Sequence, residues 1–464
     1  MNANKCKKHR IMTRGSNLHR HFIRFLMWRR IHVTDSGFVL TLSVLIGVIT
    51  GICAFILKFM IKVVSNAATG FLNPSSVNWI LIALPLLGII ATGLFCKYIL
   101  RRDISNGVSK LVDDLKNKRY TLSGRTIYGS IIASALTLGF GGSAGSEGPI
   151  AYAGAGIGSR IGSFFKVSPR MLMILVGCGA GAGIAGIFKA PAGGALFTLE
   201  VLRIELTTVT VLGVFLACVT SALVAYSLSG FTIDISVTTP GVFDTSDFVW
   251  LIPLGIICGM YSLYYTYTGG MTKNLLSTLN KPWKKYIISG ITLGLMIFAF
   301  PALYGEGYGV LTNIINGHDL DLMSYSPFSN LGIQSSYIIM IICTGILLLK
   351  GIGSSSANNG GGVAGDFAPT LFAGCILGLL YALVLSHMNI AHINYAHFAL
   401  ISMAGAMAGI IRAPLMSIFL VTEMIGGFLF LLPTAVVAMI SYTIVMIFKR
   451  DTFYHSQPFE SKDL

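Results

Sequence analysis

The feature that most constrains this chain is a single carboxylate, Glu147, within the glycine-rich stretch GGSAGSEGP at 141–149. Residues 126–146 carry no charge, and the next charge after Glu147 is Arg160. A lone ionisable group at membrane depth is costly, so it indicates a functional site. The glycines let backbone N–H groups approach a ligand, and a helix starting there would direct its positive end at that ligand. The alternative is a glycine-rich helix-packing seam with an incidental acid in a loop.

The composition is that of a polytopic membrane protein. Of 464 residues, 54% are hydrophobic and 11% are charged, whereas a soluble domain has about 25% charged residues. Uncharged windows that reach the roughly 18–20 residues of a membrane helix recur along the whole chain. We therefore expect an all-α polytopic fold with ten or more segments, many interrupted by glycine. The windows are 37–57, 71–96, 126–146, 171–188, 206–233, 248–272, 286–305, 322–349, 367–411 and 424–448.

The N-terminal arm is strongly basic. Residues 1–35 hold nine Lys/Arg and one acid, Asp35. By the positive-inside rule this arm is cytoplasmic, and Lys449 and Arg450 after the last apolar run put the C-terminus on the same side. The stretch 22–28 between basic residues could form an amphipathic helix on the inner membrane surface. No DNA- or RNA-binding motif accompanies the arm, so we expect a topology determinant and no nucleic-acid partner.

An internal repeat organises the rest of the chain. Residues 189–200 read KAPAGGALFTLE and residues 412–423 read RAPLMSIFLVTE, with nine positions from proline to glutamate in both. Each follows a glycine-rich turn that ends in proline, GGSAGSEGP at 141–149 and GGGVAGDFAP at 360–369. Two matched elements at matched spacing make the two turns counterparts.

Duplicated membrane halves with glycine-broken segments predict two inverted-topology repeats and a site at their interface, near the midplane. The N-terminal dipoles of such half-helices point at an anion, which predicts anion transport. We divide the chain into the basic cytoplasmic arm 1–35, a first membrane repeat 36–235, and a second repeat with a short cytoplasmic C-terminal segment, 236–464.

Other chemistries find little support in the residues. Eight scattered cysteines include no CxxC pair or metal-ligand spacing, so we expect no metal and no cofactor. No P-loop sequence indicates an ATP-driven motor. No His/Asp/Ser constellation surrounds Glu147, so we expect no enzyme and assign no catalytic residue.

The turns together resemble the CLC family of chloride channels and proton/chloride antiporters, over about residues 37–456. The most specific elements are SEGP at 146–149, against the family's G-(K/R)-E-G-P, and GDFAP at 365–369, against G-x-F-x-P. The resemblance implies a homodimer in the plasma membrane (the inner membrane of a bacterial cell) that transports chloride and other monovalent anions, with protons as further partners of an antiporter. The short chain is expected of a bacterial-type member without C-terminal CBS domains.

The resemblance also implies residue roles. Glu147 resembles the gating glutamate, which occupies an anion site when charged and swings away when protonated; Gly148 follows it in the same turn. Backbone N–H groups of Asp366 and Phe367 resemble the donors of the central anion site, while the Asp366 side chain is expected to face away from the anion. Tyr454 matches the tyrosine that closes the anion path from the inside, or is simply an interfacial aromatic residue.

The family's first anion-binding turn, G-S-G-I-P, falls on SNGVS at 105–109. Gly107 fits the pattern, but Asn106 replaces the serine and Ser109 the proline. An asparagine amide can donate a hydrogen bond as a hydroxyl does, so one hypothesis is that Asn106 lines the site and alters anion selectivity. The other is that Asn106 caps the helix beginning there and Ser105 is the ligand.

Whether the protein is a channel or an exchanger stays open. Family antiporters often carry an inner glutamate that hands protons to the gating one, and that position is Val201 here. Glu200 lies one helical step away, about 100° around the axis, so it should not substitute directly. We interpret Glu200 and its counterpart Glu423 as buried structural carboxylates. The rival function from another class is a cation-coupled solute carrier.

Overall fold

The computed structural model describes residues 21, 24, 27–29, 31–72, 78–231, 243–317, 322, 336–391 and 393–448. Tyr454, the basic pair at 449–450 and most of the 22–28 segment lie outside these residues.

The described residues form helices and no β-strand. Short 3₁₀ or π-helical turns extend several of the α-helices. The α-helices are α1 Asp35–Thr69, α2 Ala83–Leu94, α3 Gly107–Lys116, α4 Arg125–Gly139, α5 Glu147–Phe164, α6 Pro169–Phe188, α7 Pro191–Leu196, α8 Thr208–Leu228, α9 Phe248–Ser277, α10 Pro282–Ala299, α11 Tyr308–Ile315, α12 Ser336–Asn359, α13 Phe367–His387, α14 Tyr395–Ile411, α15 Pro414–Met424 and α16 Leu431–Phe448.

Within the described ranges, eight helices are long and apolar enough to cross a membrane. The window 367–411 contains two helices, α13 and α14, as its length allowed. The window 126–146 does not form one spanning helix. Its helix α4 ends at Gly139, and the chain turns before α5 begins at Glu147. The uncharged run is therefore a broken segment, as expected for glycine-interrupted helices.

Polar residues at the helix starts fix several boundaries. The Thr34 hydroxyl accepts a hydrogen bond from the Gly37 N–H at the start of α1, and Ser168 caps α6 just before Pro169. In the second half, the Asn394 side chain accepts from two backbone N–H groups at the start of α14. These caps satisfy N–H groups that have no partner inside the helix.

Glycines allow the central helices to pack backbone against backbone. A Cβ at Gly158 of α5 would overlap the carbonyl oxygen of Leu175 in α6. In the second half, a Cβ at Gly378 of α13 would overlap the carbonyl oxygen of Phe398 in α14. Small residues serve this purpose in membrane helices, where close van der Waals contact replaces the hydrophobic drive.

The two halves match in order and in local backbone. The helices α5, α6 and α7 correspond to α13, α14 and α15. Lys189 and Arg412, which precede each Ala-Pro, both adopt the left-handed conformation, with φ of 56° and 61°. Each ends its helix by donating its backbone N–H to a carbonyl of the preceding turn. The basic residue before each proline thus terminates one helix and redirects the chain into the next.

Candidate functional site

The two glycine-rich turns meet at the centre of the molecule. The Gly145 N–H donates to the Gly365 carbonyl at 2.8 Å, and the Gly365 N–H donates back to the Gly145 carbonyl at 2.6 Å. The helices α5 and α13 begin two residues after these glycines, at Glu147 and Phe367. The turns that the sequence pairs as counterparts therefore face each other, each opening a helix N-terminus.

Glycine is required for this approach and for that of a third helix start. A Cβ at Gly148 would lie 3.1 Å from the Cα of Gly365. A Cβ at Gly107, the first residue of α3, would lie 2.9 Å from the Cβ of Tyr152 and 3.2 Å from the Gly148 carbonyl oxygen. The N-termini of α3, α5 and α13 thus converge, and their dipoles create a positive potential between them.

Glu147 occupies this convergence. Its side chain is fully buried in the first turn of α5, and its Oε1 accepts a hydrogen bond of 2.8 Å from the Tyr308 hydroxyl. Its Oε2 lies against Gly145, where a Cβ would overlap it. No described residue donates a hydrogen bond to Oε2. A carboxylate at a helix N-terminus sits where the backbone stabilises negative charge, so it occupies a position suited to an anion.

The Asp366 side chain is hydrogen-bonded to α12. Its Oδ1 accepts from the Ser354 hydroxyl at 2.6 Å and from the Asn358 amide at 3.0 Å, both on α12. Asp366 is the residue just before α13, so its backbone, rather than its carboxylate, belongs to the helix start. These contacts engage the carboxylate with α12, and that it faces away from the anion stays a prediction.

The SNGVS turn contradicts the capping hypothesis, while a role of Asn106 in anion selectivity stays a prediction. Asn106 immediately precedes α3 in a left-handed conformation, with φ of 53°, and its side chain makes no capping hydrogen bond. Its amide instead donates to Asn359 Oδ1 at 3.2 Å, at the end of α12. The Ser105 hydroxyl donates to the Asp103 carboxylate at 2.6 Å. The side-chain cap by Asn106 is therefore wrong, and Ser105 is directed at an acid rather than at an anion.

Glu200 and Glu423 form a reciprocal pair of caps. Glu200 accepts from the Met416 N–H at 2.8 Å and the Leu415 N–H at 3.4 Å, at the start of α15. Glu423 accepts from the Gly193 N–H at 2.8 Å and the Ala192 N–H at 3.0 Å, at the start of α7. Each repeat's glutamate thereby binds the helix N-terminus of the other repeat, which is a structural role.

Val201 is buried. It is the last residue of the π-helical turn Phe197–Val201, which continues α7. Its apolar side chain cannot carry a proton. The neighbouring Glu200 accepts hydrogen bonds at the start of α15, and that it does not replace the missing acid stays a prediction.

Three residues beside Glu147 were not identified from the sequence. Glu306 Oε1 accepts from the backbone N–H of Ser146 at 3.1 Å and also from the Ser146 hydroxyl. Lys58 of α1 lies 3.7 Å from Glu306 Oε2, and its Nζ lies 4.1 Å from the ring centroid of Tyr308. Glu306 stands in YGEGYG at 304–309, a lone acid among glycines like Glu147 itself. That shared pattern is the signal that could have identified it.

A cavity of about 1190 Å³ adjoins these residues. Its lining includes Lys58, Lys62, Lys189 and Tyr308, and Glu306 is the one acid among the described residues that line it. Residues near the C-terminal end of α1 also line it, so it opens at the end of the molecule opposite to Asp35. A cavity with three lysines and one glutamate attracts anions.

A second buried cation lies on the other side of the turn. Lys350 of α12 is fully buried, donates to the Ser143 hydroxyl at 2.9 Å and lies 4.5 Å from the Phe372 ring centroid. It ties α12 to the GGSAGSEGP turn. The sequence windows overlooked it because it falls at the boundary of an uncharged run.

The family profile described as "Voltage gated chloride channel" matches residues 87–446. The chain belongs to the voltage-gated chloride channel (CLC) family. Anion transport is therefore its function class, and the cation-coupled solute carrier is not favoured.

Individual CLC proteins agree with this assignment. The H(+)/Cl(−) exchange transporter ClcA of Vibrio cholerae is 24% identical over 420 residues, covering 86% of this chain and 85% of the relative. The structure of a slow cyanobacterial Cl⁻/H⁺ antiporter matches with a TM-score of 0.74 at 23% identity, over 90% of this chain and 96% of that one. A CLC-type fluoride/proton antiporter matches with a TM-score of 0.70 at 23% identity, over 89% and 97%. The two structures establish the CLC fold of this membrane protein.

Proposed function

We propose that this CLC protein transports chloride through a site between the N-termini of α3, α5 and α13, with Glu147 as its gate. The observation that carries the proposal is the buried Glu147 carboxylate beside the paired turns at Gly145 and Gly365. Chloride is large and weakly basic, so neutral N–H donors and helix dipoles hold it strongly enough to enter and weakly enough to leave.

Glu147 competes with the anion for the same positive potential. When charged, its carboxylate takes the place of chloride at the helix starts. When protonated, it loses that attraction, and the Tyr308 hydroxyl no longer faces a full negative charge. External acid should therefore increase anion flux through the protein.

We further propose that the transport is proton-coupled exchange. The relative from Vibrio cholerae and both structural neighbours are named as proton exchangers or antiporters. One observation favours passive conduction instead: Val201 occupies the position of the inner proton-carrying acid. Under exchange, protons reach Glu147 from the inside by a path that does not use a side chain at Val201.

The test is reconstitution into liposomes with a chloride gradient, while chloride efflux and proton movement are recorded together. Uphill proton movement supports exchange, and chloride flux without protons supports a channel. No chloride flux, together with no effect of Glu147→Gln, would overturn the proposed function.

Selectivity is tested in the same liposomes with chloride, bromide, nitrate and fluoride. Fluoride belongs in this set because a structural neighbour is titled as a fluoride/proton antiporter. If the Asn106 amide helps to select the anion, Asn106→Ser changes the order of transport rates. An unchanged order would show that the contact with Asn359 has no part in selectivity.

Four further assignments belong to the proposal. The protein is a homodimer of the plasma membrane, with both termini in the cytoplasm on account of their basic residues. Two membrane repeats, 36–235 and 236–464, follow the basic arm 1–35. Tyr454 closes the inner end of the anion path. The residues of this chain take up no cofactor, and its partners are the anion, the proton and the lipid bilayer.

A further inference from the structure

One short segment of the second repeat clasps the turn that carries Glu147. Tyr304 donates to the Gly139 carbonyl at 2.7 Å, at the end of α4, and its ring lies against Gly141, whose φ is +97°. Glu306 accepts two hydrogen bonds from Ser146, and Tyr308 donates to Glu147. We call Tyr304, Glu306 and Tyr308 the clasp. They hold residues on both sides of the glycine-rich turn.

The clasp places a second negative charge next to the gating one. The Glu306 side chain is 9% exposed and faces the cavity, and it is held at the residue adjacent to Glu147. The opposing charge is Lys58 of α1, 3.7 Å from Glu306. Lys62 of α1 and Lys189 after α6 line the same cavity at its other walls. Among the described residues, Glu147 therefore has one negative and one positive charge close to it, besides the phenol of Tyr308.

We propose that Glu306 is a positioning residue that sets the external pH at which Glu147 takes up its proton. A like charge nearby disfavours the charged form of a carboxyl, so Glu306 makes proton uptake by Glu147 easier. Lys58 acts in the opposite sense. The balance of these two cavity charges then fixes the pH at which the site is released to chloride. This inference rests on the proposed function of Glu147 as the gate.

The test measures chloride flux from liposomes against the pH of the solution that reaches the cavity. Glu306→Gln keeps an oxygen that accepts from Ser146 and removes the charge. We expect its half-activation pH to fall by about one unit, the usual scale of a neighbouring-charge effect. Lys58→Met should raise the half-activation pH. Glu306→Asp, which keeps the negative charge, should keep the wild-type half-activation pH. Glu205→Gln removes an exposed carboxylate that pairs with Arg170 at 3.1 Å and should leave the profile unchanged.

Opposite shifts for the two charge variants distinguish this role from a structural one. If Glu306→Gln and Lys58→Met only lower the flux and leave the half-activation pH in place, the proposal is wrong. If Glu306→Gln does not fold, Lys58→Met decides alone, since an unmoved midpoint overturns the proposal. The proposed function fails separately, when the wild-type protein shows no flux or Glu147→Gln keeps the full pH response.

Discussion

The hydroxyl of Tyr308 gives the most direct test of the proposed gate at Glu147. It donates to Glu147 Oε1 at 2.8 Å in a fully buried setting. A hydrogen bond to a charged group contributes about 1.5–3 kcal/mol. This bond stabilises the charged form of Glu147, so Tyr308→Phe should make proton uptake easier. Since one pH unit corresponds to about 1.4 kcal/mol, the half-activation pH of chloride flux should rise by about 1–2 units.

The assay is chloride efflux from liposomes over a range of external pH, with rates normalised to the acidic maximum. Phenylalanine keeps the ring that packs against Lys58 and Phe188. Tyr304→Phe is the matched control, because it removes a hydroxyl of the same clasp that donates to Gly139 rather than to Glu147. A midpoint that stays or falls in Tyr308→Phe, while Glu147→Gln abolishes the pH response, would show that the Tyr308 hydroxyl does not stabilise the charged form of Glu147.

Three further predictions concern stability and selectivity. Gly154→Ala should lower the melting temperature in detergent, because its Cβ would overlap a carbonyl of α6. Such overpacking costs about 1–3 kcal/mol. The control Gly270→Ala should leave the melting temperature unchanged, because a Cβ there meets no atom within 4 Å. Glu423→Ala should destabilise the protein by about 0.5–2 kcal/mol through loss of the cap on α7, and an unchanged melting temperature would contradict that role. Asp366→Ala should lower the melting temperature but keep the order of anion transport rates, and a changed order in liposome flux would show that its carboxylate acts on the anion.

The repeat was predictable because matching motifs recur in the sequence at nearly equal spacing. Matched glycine turns and Ala-Pro elements identified GGSAGSEGP and GGGVAGDFAP as counterparts, and the structure joins them at Gly145 and Gly365. The helical membrane fold followed from uncharged windows in the same way. Periodicity and composition are local properties, and helices follow local properties closely.

The contacts of the third turn were not predictable. By residue type, Asn106 and Ser105 are donors that could face an anion. Their actual directions depend on a left-handed backbone at Asn106 and on partners at Asp103 and Asn359. Asn359 is 253 residues from Asn106 in the chain. A local sequence pattern does not predict such a long-range contact.

For a related reason, the sequence patterns did not identify Glu306, Tyr308 and Lys58. Long uncharged windows single out the charges within them, whereas Lys58 and Glu306 lie just beyond the ends of such windows, and Tyr308 carries no charge. Their importance arises only when the second repeat folds against the first and brings Glu306 to Ser146. The glycines on both sides of Glu306 were the one local sign.

The central claim is that Glu147 and chloride compete for one site between facing helix starts. Isothermal titration of the purified protein with chloride, at acidic and at alkaline pH, tests this without any transport step. If the two compete, wild-type protein binds chloride more weakly at alkaline than at acidic pH, whereas Glu147→Gln binds it equally at both. An equal pH dependence in the two proteins would contradict the competition.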